Sequence, residues 1–296
     1  MPRAMTAEPL RIIDELGIPG VVDVHTHFMP EPVMQKVWAV FDRAESVYGV
    51  PWPIEYRDSA DARLTILRSF GVRAFTSMIY AHKPGMADWL NRWSADFAAA
   101  TPDCIQTATF YPEPGVQDYV KAAVDSGARC FKQHLQVGAF DPRDPLLDPV
   151  WELLADSAIP IVIHCGSGPV PGEFTGPGPV RDVLTAHPRL QLIIAHMGAP
   201  EYGGFLDLAD DYPGVRLDTT MAFTAFMNQL APFPDALKPR LTDAGLRGDV
   251  LFGSDFPNIP YPYVEAIDAL AQLGLGDVWL RQVLWGAGAR LFGVRA

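Results

Sequence analysis

The sequence predicts an α/β protein that folds as a single-domain (β/α)8 barrel, the TIM-barrel architecture. Eight short apolar runs, rich in β-branched residues, recur along the 296 residues, and helical patterns lie between them. From His25 in the first run to Asp255 in the last there are 230 residues over seven steps, or about 33 residues per unit. Runs that are apolar on both faces are typical of a buried parallel sheet. Eight such units match the ~250 residues of a usual barrel.

The eight runs alternate with helix candidates in the order that a barrel requires. Alternation at this spacing favours βα units with right-handed crossovers. An open doubly wound sheet is the alternative, but it is expected to begin with a glycine-rich phosphate turn, where this chain has His25-Thr26-His27. The predicted strands cover residues 20–25, 72–80, 104–111, 128–135, 159–164, 190–196, 215–219 and 249–255, and the clearest helices cover 86–100, 149–157 and 180–187.

The regular spacing of the units predicts one domain over residues 1–296. The residues in excess of a usual barrel are expected in two long loops. The first covers about 29–61 and is rich in aromatic residues and Pro, and the second covers 166–179. Long segments without regular structure are usually functional or disordered. Both leave the carboxyl ends of strands, where barrel enzymes place their active sites. The alternative for each is a solvent-exposed loop without a functional role.

Composition and charge exclude several classes of protein. The chain is 49% hydrophobic with seven Trp, nine Tyr and 16 Phe, which excludes disorder. Its 23 Lys and Arg against 35 Asp and Glu give a net charge of −12, which argues against nucleic acid and anionic membrane as partners. No apolar run approaches the ~18–20 residues of a membrane span, and the first fifteen residues do not resemble a signal peptide. Three dispersed Cys without a CxxC pair indicate a reducing, cytoplasmic compartment. A homo-oligomer is left open.

Polar residues with metal-ligand chemistry end four of the predicted strands. His25 and His27 are two apart, so an extended strand points both side chains to one face. His164 ends the fifth run, His196 the sixth and Asp255 the eighth. Residues at equal height on these strands converge over the barrel mouth, and imidazole and carboxylate are common ligands for zinc-like ions. A single His after an apolar run is more often a core residue, but five such residues at strand ends predict a metal site.

These motifs resemble the amidohydrolase superfamily, and within it the branch of metal-dependent hydrolases that are relatives of aminocarboxymuconate-semialdehyde decarboxylase. The resemblance covers nearly the whole chain. It is carried by Asp23-Val24-His25-Thr26-His27, Ile163-His164, Ala195-His196-Met197-Gly198 and Gly253-Ser254-Asp255-Phe256-Pro257. Where many relatives have Gly-Asn-Ala near the end, this chain has Gly286-Ala287-Gly288, a departure that we expect to affect the last turn rather than the chemistry.

The resemblance implies one divalent metal ion as cofactor, zinc in the first place and manganese as the alternative. It assigns His25, His27, His164 and Asp255 as ligands, and His196 as a contact of the metal-bound water or the substrate. Asp255 and His196 are the catalytic candidates because either can move a proton between water and leaving group. Asp23 is expected on the same strand face as His25, either as a carboxylate supporting the ligands or in a packing role.

The resemblance also implies a role for the fourth predicted strand. In binuclear members of the superfamily a Lys on this strand is carbamylated and bridges two metals. Lys132 could do this, although a substrate contact or a buried position beneath the site is favoured. His134 shares its face and could reach the substrate. The pocket loops add Trp52, Phe174 and Asn258 as candidate substrate contacts. Such a mixture suits a small aromatic, lactone or carboxylate-bearing molecule, and ordinary packing at the barrel rim is the alternative.

The favoured activity is therefore a metal-dependent hydrolase, in which a metal-activated water attacks an amide, ester or lactone of a small organic substrate. The second hypothesis is a metal-dependent nonoxidative decarboxylase, a carbon–carbon lyase acting on a small aromatic or unsaturated acid. A barrel that binds a partner without catalysis is the third, and it would require the ligand pattern to be accidental.

Overall fold

The strands of the computed structural model, which describes residues 8–296, are short, parallel and in the predicted order. Each falls within one of the eight predicted runs, and the third run is divided in two at Gln106. The strands are β1 (Val21–Asp23), β2 (Val72–Thr76), β3 (Cys104–Ile105), β4 (Thr107–Thr109), β5 (Cys130–His134), β6 (Ile161–His164), β7 (Leu192–Ile194), β8 (Val215–Asp218) and β9 (Val250–Leu251).

Parallel pairing follows chain order, with β1, β2 and β3 in one sheet and β4 to β9 in the other. The two edges are joined beyond the strands, where the Val24 N–H donates to the Phe252 carbonyl at 2.9 Å and the His27 N–H donates to the Phe256 carbonyl at 2.7 Å. A parallel bridge between Thr26 and Phe256 lies at the same place. The predicted (β/α)8 barrel is confirmed, and its last strand lies beside its first.

Helices follow the strands and surround them. The predicted helices at 86–100, 149–157 and 180–187 are present as α5, α8 and α9, with ends shifted by at most a few residues. The helices are α1 (Glu8–Leu16), α2 (Glu31–Phe41), α3 (Ala44–Tyr48), α4 (Ala60–Ser69), α5 (Ala87–Ala99), α6 (Val116–Asp125), α7 (Leu135–Gly138), α8 (Asp148–Ser157), α9 (Pro177–Ala186), α10 (Tyr202–Asp211), α11 (Ala225–Leu230), α12 (Lys238–Arg247), α13 (Tyr263–Gln272), α14 (Asp277–Arg281) and α15 (Ala287–Phe292).

The first predicted loop, 29–61, is in large part helical, so that prediction is wrong in detail. Pro32 occupies the first turn of α2, a position that Pro tolerates because its missing N–H would have no partner there. Met34 and Trp38, four residues apart, are buried on one face and hold α2 over the barrel mouth. The second predicted loop, 166–179, lacks regular structure until α9 begins at Pro177.

The last segment of the chain packs against the end of the barrel interior opposite the predicted site. Residues 282–286 form a π-helical turn, and α15 then packs its small residues against β1. A Cβ on Gly288 would lie 2.9 Å from Cγ1 of Val22, so this approach requires glycine. Gly286-Ala287-Gly288 thus serves packing, as expected from its place in the sequence. Within the described residues no helix is long and apolar enough to cross a membrane.

Candidate metal centre and active site

The carboxyl ends of the strands bring most of the predicted residues into one buried cluster. The parallel strands of a barrel all end at the same rim, so the residues that follow them lie close together even when they are far apart in sequence. His25 and His27 follow β1, Lys132 and His134 lie on β5, His164 ends β6, His196 follows β7, Asp218 ends β8 and Asp255 follows β9.

Three side chains form a group that could hold a metal ion. One ligand atom from each of His25, His27 and Asp255 lies within 4.8 Å of the other two. Oδ1 of Asp255 is 2.9 Å from Nε2 of His27 and 3.7 Å from Nε2 of His25. Their relative exposures are 1%, 5% and 8%, so bulk water does not solvate them. His25 can lie against β9 because residue 253 is glycine, where a Cβ would come within 2.8 Å of the His25 Cβ.

Hydrogen bonds fix both imidazoles with Nε2 directed toward Asp255. Nδ1 of His25 lies 2.9 Å from Oδ2 of Asp218, and Nδ1 of His27 lies 2.8 Å from the carbonyl of Met78. Both partners are acceptors, so each Nδ1 carries the proton and donates it. Each neutral imidazole is left with a lone pair on Nε2, as metal ligation requires.

This arrangement provides a test of fit to a cation. Nε2 of His27 is an acceptor once its proton is on Nδ1, yet it lies 2.9 Å from the carboxylate oxygen of Asp255, which is also an acceptor. Two acceptors at this distance repel each other unless a proton or a cation lies between them. The two imidazoles and the carboxylate are the donor types that zinc and manganese take in proteins. The residues present therefore fit a divalent ion.

Protonation states at neutral pH agree with this fit. Burial raises the pKa of Asp255, but the close contact with His27 and the nearby His196 and His25 lower it far more, so the carboxylate is ionised. Burial, with the charge of Lys132, lowers the pKa of His25 to about 4 against the opposing effect of Asp218, so its imidazole is neutral. Metal ligands must be deprotonated in this way.

Lys132 is buried against the group. It is 1% exposed, and its Nζ donates to Nε2 of His25 at 3.1 Å. Burial lowers the pKa of the Lys132 ammonium to about 8, although Asp218 and Asp255 oppose this. An ion bound through Nε2 of His25 would replace this hydrogen bond.

His196 is held in an uncommon backbone conformation beside the group. Its φ of 55° and that of Asp255, 71°, lie in the left-handed region, which costs a non-glycine residue free energy and is found disproportionately at functional sites. The His196 N–H donates to Oδ1 of Asp218 at 2.9 Å, and its Nδ1 donates to the Thr220 carbonyl at 3.1 Å. Burial lowers the pKa of His196 to about 4. Its Nε2 is thus a neutral acceptor at the mouth.

His164, the fourth predicted ligand, lies beside the group rather than within it. Its Nε2 is 3.1 Å from the Gly168 carbonyl and donates to it. Its ring stacks on that of His134, with centroids 3.9 Å apart, because the two residues are register partners on β5 and β6. Its centroid is 4.7 Å from that of His196. Ligation by His164 remains a prediction and would require use of Nδ1 or loss of the Gly168 hydrogen bond.

Asp218 is the residue that the sequence analysis missed. Besides the ring of His25, its carboxylate accepts from the backbone N–H of His196 and of Thr220, at 2.9 and 3.1 Å. It therefore orients one predicted ligand and one predicted catalytic residue. The available signal was its position at the end of the seventh apolar run, the same height as the other site residues.

Asp23 does not share the face of the His25 ring, contrary to expectation. Its carboxylate accepts from the hydroxyls of Ser254 and Tyr263, at 2.6 and 2.9 Å, and from the His25 N–H at 3.2 Å. β1 ends at Asp23, so the two-residue alternation of a strand does not continue to His25. Asp23 instead ties the ends of β1 and β9 to α13.

The predicted substrate contacts divide into those that line the mouth and one that does not. Trp52, Lys132, His134 and Asn258 line a cavity of about 90 Å³ over the cluster. The Trp52 indole donates to the Asn258 carbonyl at 2.8 Å, which fixes both. Phe174 is not among the lining residues, and its contact with a substrate stays a prediction. From the same loop, Gly166, Gly168 and Pro169 line the cavity.

Comparison with solved structures gives the same fold. An uncharacterised TIM-barrel protein from Bordetella bronchiseptica matches with a TM-score of 0.74 at 18% identity, over 92% of this chain and 98% of the other. A probable 2-pyrone-4,6-dicarboxylic acid hydrolase from Acinetobacter baumannii matches at 0.61 and 14% identity, over 93% and 99%. Dihydroorotase from Campylobacter jejuni matches at 0.58 and 15% identity, over 94% and 84%.

Comparison with protein families identifies the chain's relatives. A search of curated protein sequences gave no significant match. The sequence model of the amidohydrolase family matches residues 22–294, which include every site residue described above. The chain thus belongs to the amidohydrolase family.

Proposed function

We propose that this protein is a metal-dependent hydrolase that cleaves an amide, ester or lactone of a small organic molecule. The observation that carries the proposal is the opposition of two acceptors, Nε2 of His27 and Oδ1 of Asp255, in a buried group whose tautomers are set by Met78 and Asp218. His25, His27 and Asp255 would hold the ion, zinc or manganese, with His164 as the predicted fourth ligand.

A divalent ion in such a site polarises a carbonyl and lowers the pKa of water toward neutrality. The protein's own groups supply the proton transfers. Asp255 and His196 are both unprotonated at neutral pH, so each can accept a proton from attacking water. We assign the shuttle to the carboxylate of Asp255 and place His196 against the substrate carbonyl. Asp218 keeps His25 and His196 oriented throughout.

The relative named as a probable 2-pyrone-4,6-dicarboxylic acid hydrolase makes lactones the first substrates to test. The test combines metal analysis with a panel of lactones, esters and amides followed by pH-stat, while headspace CO2 is measured from aromatic and unsaturated acids. We expect about one zinc or manganese ion per chain and hydrolysis of one substrate class. His25→Asn should lose both the bound ion and the hydrolytic activity. His187→Asn, at a histidine that contacts Asp148 and does not line the cavity, is the matched control.

Two results would overturn the proposal. Activity that persists in metal-free protein would remove the ion from the reaction. Release of CO2 without hydrolysis of any panel member would replace the hydrolase with the alternative decarboxylase, in which the same site would protonate the carbon that loses CO2.

A further inference from the structure

A second and larger cavity adjoins the one over the metal group. It holds about 580 Å³, against about 90 Å³ for the cavity that His25, His27 and Asp255 line. Sites for small organic ligands usually hold ~300–1,000 Å³, so the inner cavity accommodates the reacting group and little more. The body of a substrate must extend beyond it.

Five residues line both cavities and therefore mark the passage between them: Phe41, Tyr48, Tyr80, His134 and Val137. Tyr80 lies at the centre of this passage. Its ring centroid is 6.0 Å from that of His27 and 5.3 Å from that of His134. A molecule that reacts beside His27 and extends past Tyr80 enters the larger cavity, which we call the distal chamber.

The wall of the distal chamber is mainly apolar and is formed by α2, the segment after β2 and the start of α5. Three of its residues are large hydrophobic side chains exposed to solvent, Val40 at 38%, Trp89 at 38% and Val137 at 43%. Exposed apolar residues grouped around a cavity indicate a binding surface rather than chance exposure.

Basic side chains line the same chamber. Lys36 on α2 and Lys83 before α5 both line it, with His82 beside them. Burial, and after it the charges of Lys83 and Lys36, lower the pKa of His82. Among the described residues no carboxylate lines the chamber, and neither lysine forms an ion pair. Glu113 is close by, since its carboxylate accepts from the N–H of the lining residue Gly85 at 2.6 Å, but it does not itself line the chamber. In a chain of net charge −12, the charged side chains that do line it are thus both basic.

We propose that the distal chamber binds the anionic end of an elongated substrate, through Lys36 and Lys83, while the bond to be cleaved lies at the metal group. This inference rests on the proposed function and specifies its substrate class: a molecule with an apolar body and a carboxylate remote from the reacting carbonyl. Apolar contact with Trp89 and Val40 accounts for the body, and the two ammonium groups account for the charge.

The first experiment measures binding alone, so that it does not depend on catalysis. Glutarate, suberate and dodecanedioate are titrated calorimetrically into the purified holoenzyme, each beside the monocarboxylate of equal length: pentanoate, octanoate and dodecanoate. At the length that spans both cavities we expect the dicarboxylate to bind about tenfold more tightly, equivalent to ~1.4 kcal/mol. In Lys36→Met/Lys83→Met the preference should fall below about threefold.

Lys121→Met/Lys238→Met is the matched control, because both lysines lie on exposed helix surfaces and the change in net charge is the same. It should keep the preference for the dicarboxylate. A preference that is absent at every length, that survives in Lys36→Met/Lys83→Met, or that disappears equally in the control would overturn the proposal.

The second experiment separates this inference from the proposed function. Mono-4-nitrophenyl suberate and 4-nitrophenyl octanoate have the same length and differ in the terminal charge. We expect a higher kcat/KM for the anionic ester, and its loss in Lys36→Met/Lys83→Met. If neither ester and no member of the lactone, ester and amide panel is cleaved while the dicarboxylates still show lysine-dependent binding, the hydrolase assignment fails and the chamber stands. A stable dimer that Trp89→Glu dissociates would show that a second copy covers the chamber, and would overturn it.

Discussion

Asp218→Asn provides the sharpest test of how the metal group is held. The asparagine oxygen can keep the two backbone hydrogen bonds, from His196 and Thr220, that Oδ1 of Asp218 accepts. Its NH2 group then takes the place of Oδ2, 2.9 Å from Nδ1 of His25. An NH2 group can only donate, so Nδ1 must become the acceptor and the proton of His25 must move to Nε2. The atom assigned to the metal is thereby protonated.

The size of the effect follows from that forced tautomer. Restoring the lone pair on Nε2 would leave two donors facing each other in a buried site, which costs about 1–3 kcal/mol. Removal of a carboxylate that orients a ligating histidine typically weakens metal binding by about 10–100-fold. We therefore expect the Kd for zinc, measured by competition with a chelating fluorophore, to rise within that range. Burial raises the pKa of Asp218, but His25 lowers it to about 2, so the carboxylate is ionised in any neutral assay.

The control is Asp235→Asn, the same substitution at a side chain that is 89% exposed and remote from the site. It should leave the Kd unchanged. Far-ultraviolet circular dichroism must show an intact barrel in both variants. A Kd for Asp218→Asn within about threefold of the wild type, in a folded protein, would refute the assignment of the His25 tautomer and the role of Asp218 with it.

Three further predictions concern stability and reactivity. Arg63 is fully buried against Phe28 and Trp38, and no described residue forms a hydrogen bond with its guanidinium. Arg63→Met should therefore raise the free energy of unfolding in urea by about 1 kcal/mol. A loss of about 2 kcal/mol or more would contradict this. Asp103 is partly buried, but two hydrogen bonds from Arg68 outweigh that and lower its pKa, so its stabilisation is present above about pH 4 and is lost as the pH falls below it. Asp103→Asn should therefore cost about 0.5–1 kcal/mol at pH 7 and progressively less as the pH falls below about 4, and a cost independent of pH would show that the ion pair is not its source. Burial raises the pKa of the Cys104 and Cys130 thiols to about 12 and that of the Cys165 thiol further. Ellman's reagent at pH 8 should therefore label none of the three until the protein is unfolded. Rapid labelling of the native protein would count against this.

The barrel was predictable from sequence because buried parallel strands need apolar residues on both faces, and this need leaves an unbroken signal such as Ile161–His164. The site was predictable to the extent that its residues directly follow such runs. His25, His27 and Asp255 met this condition, and their convergence needed only the rule that parallel strands end at one rim.

Other features depended on contacts that no local pattern records. α2 was hidden by Pro30 and Pro32, which read as loop signals until the burial of Met34 and Trp38 is seen. Phe174 had suitable chemistry for a pocket, but the structure lines the cavity with Gly166, Gly168 and Pro169 of the same loop. Asp218 looked like an ordinary polar residue after a strand, and only the 2.9 Å contact with His25 distinguishes it.

Charge connects the metal group with the distal chamber. With His25 and His196 neutral, the charged side chains of the cluster are Asp218, Asp255 and Lys132, with a net charge of −1. That balance favours a cation, and a divalent ion would change it to +1. The inner site would then present positive charge to a reacting carbonyl, while Lys36 and Lys83 present it to the far end of the substrate. In a chain of net charge −12, two positive sites separated by an apolar passage select an elongated molecule with negative charge at one end and developing negative charge at the other.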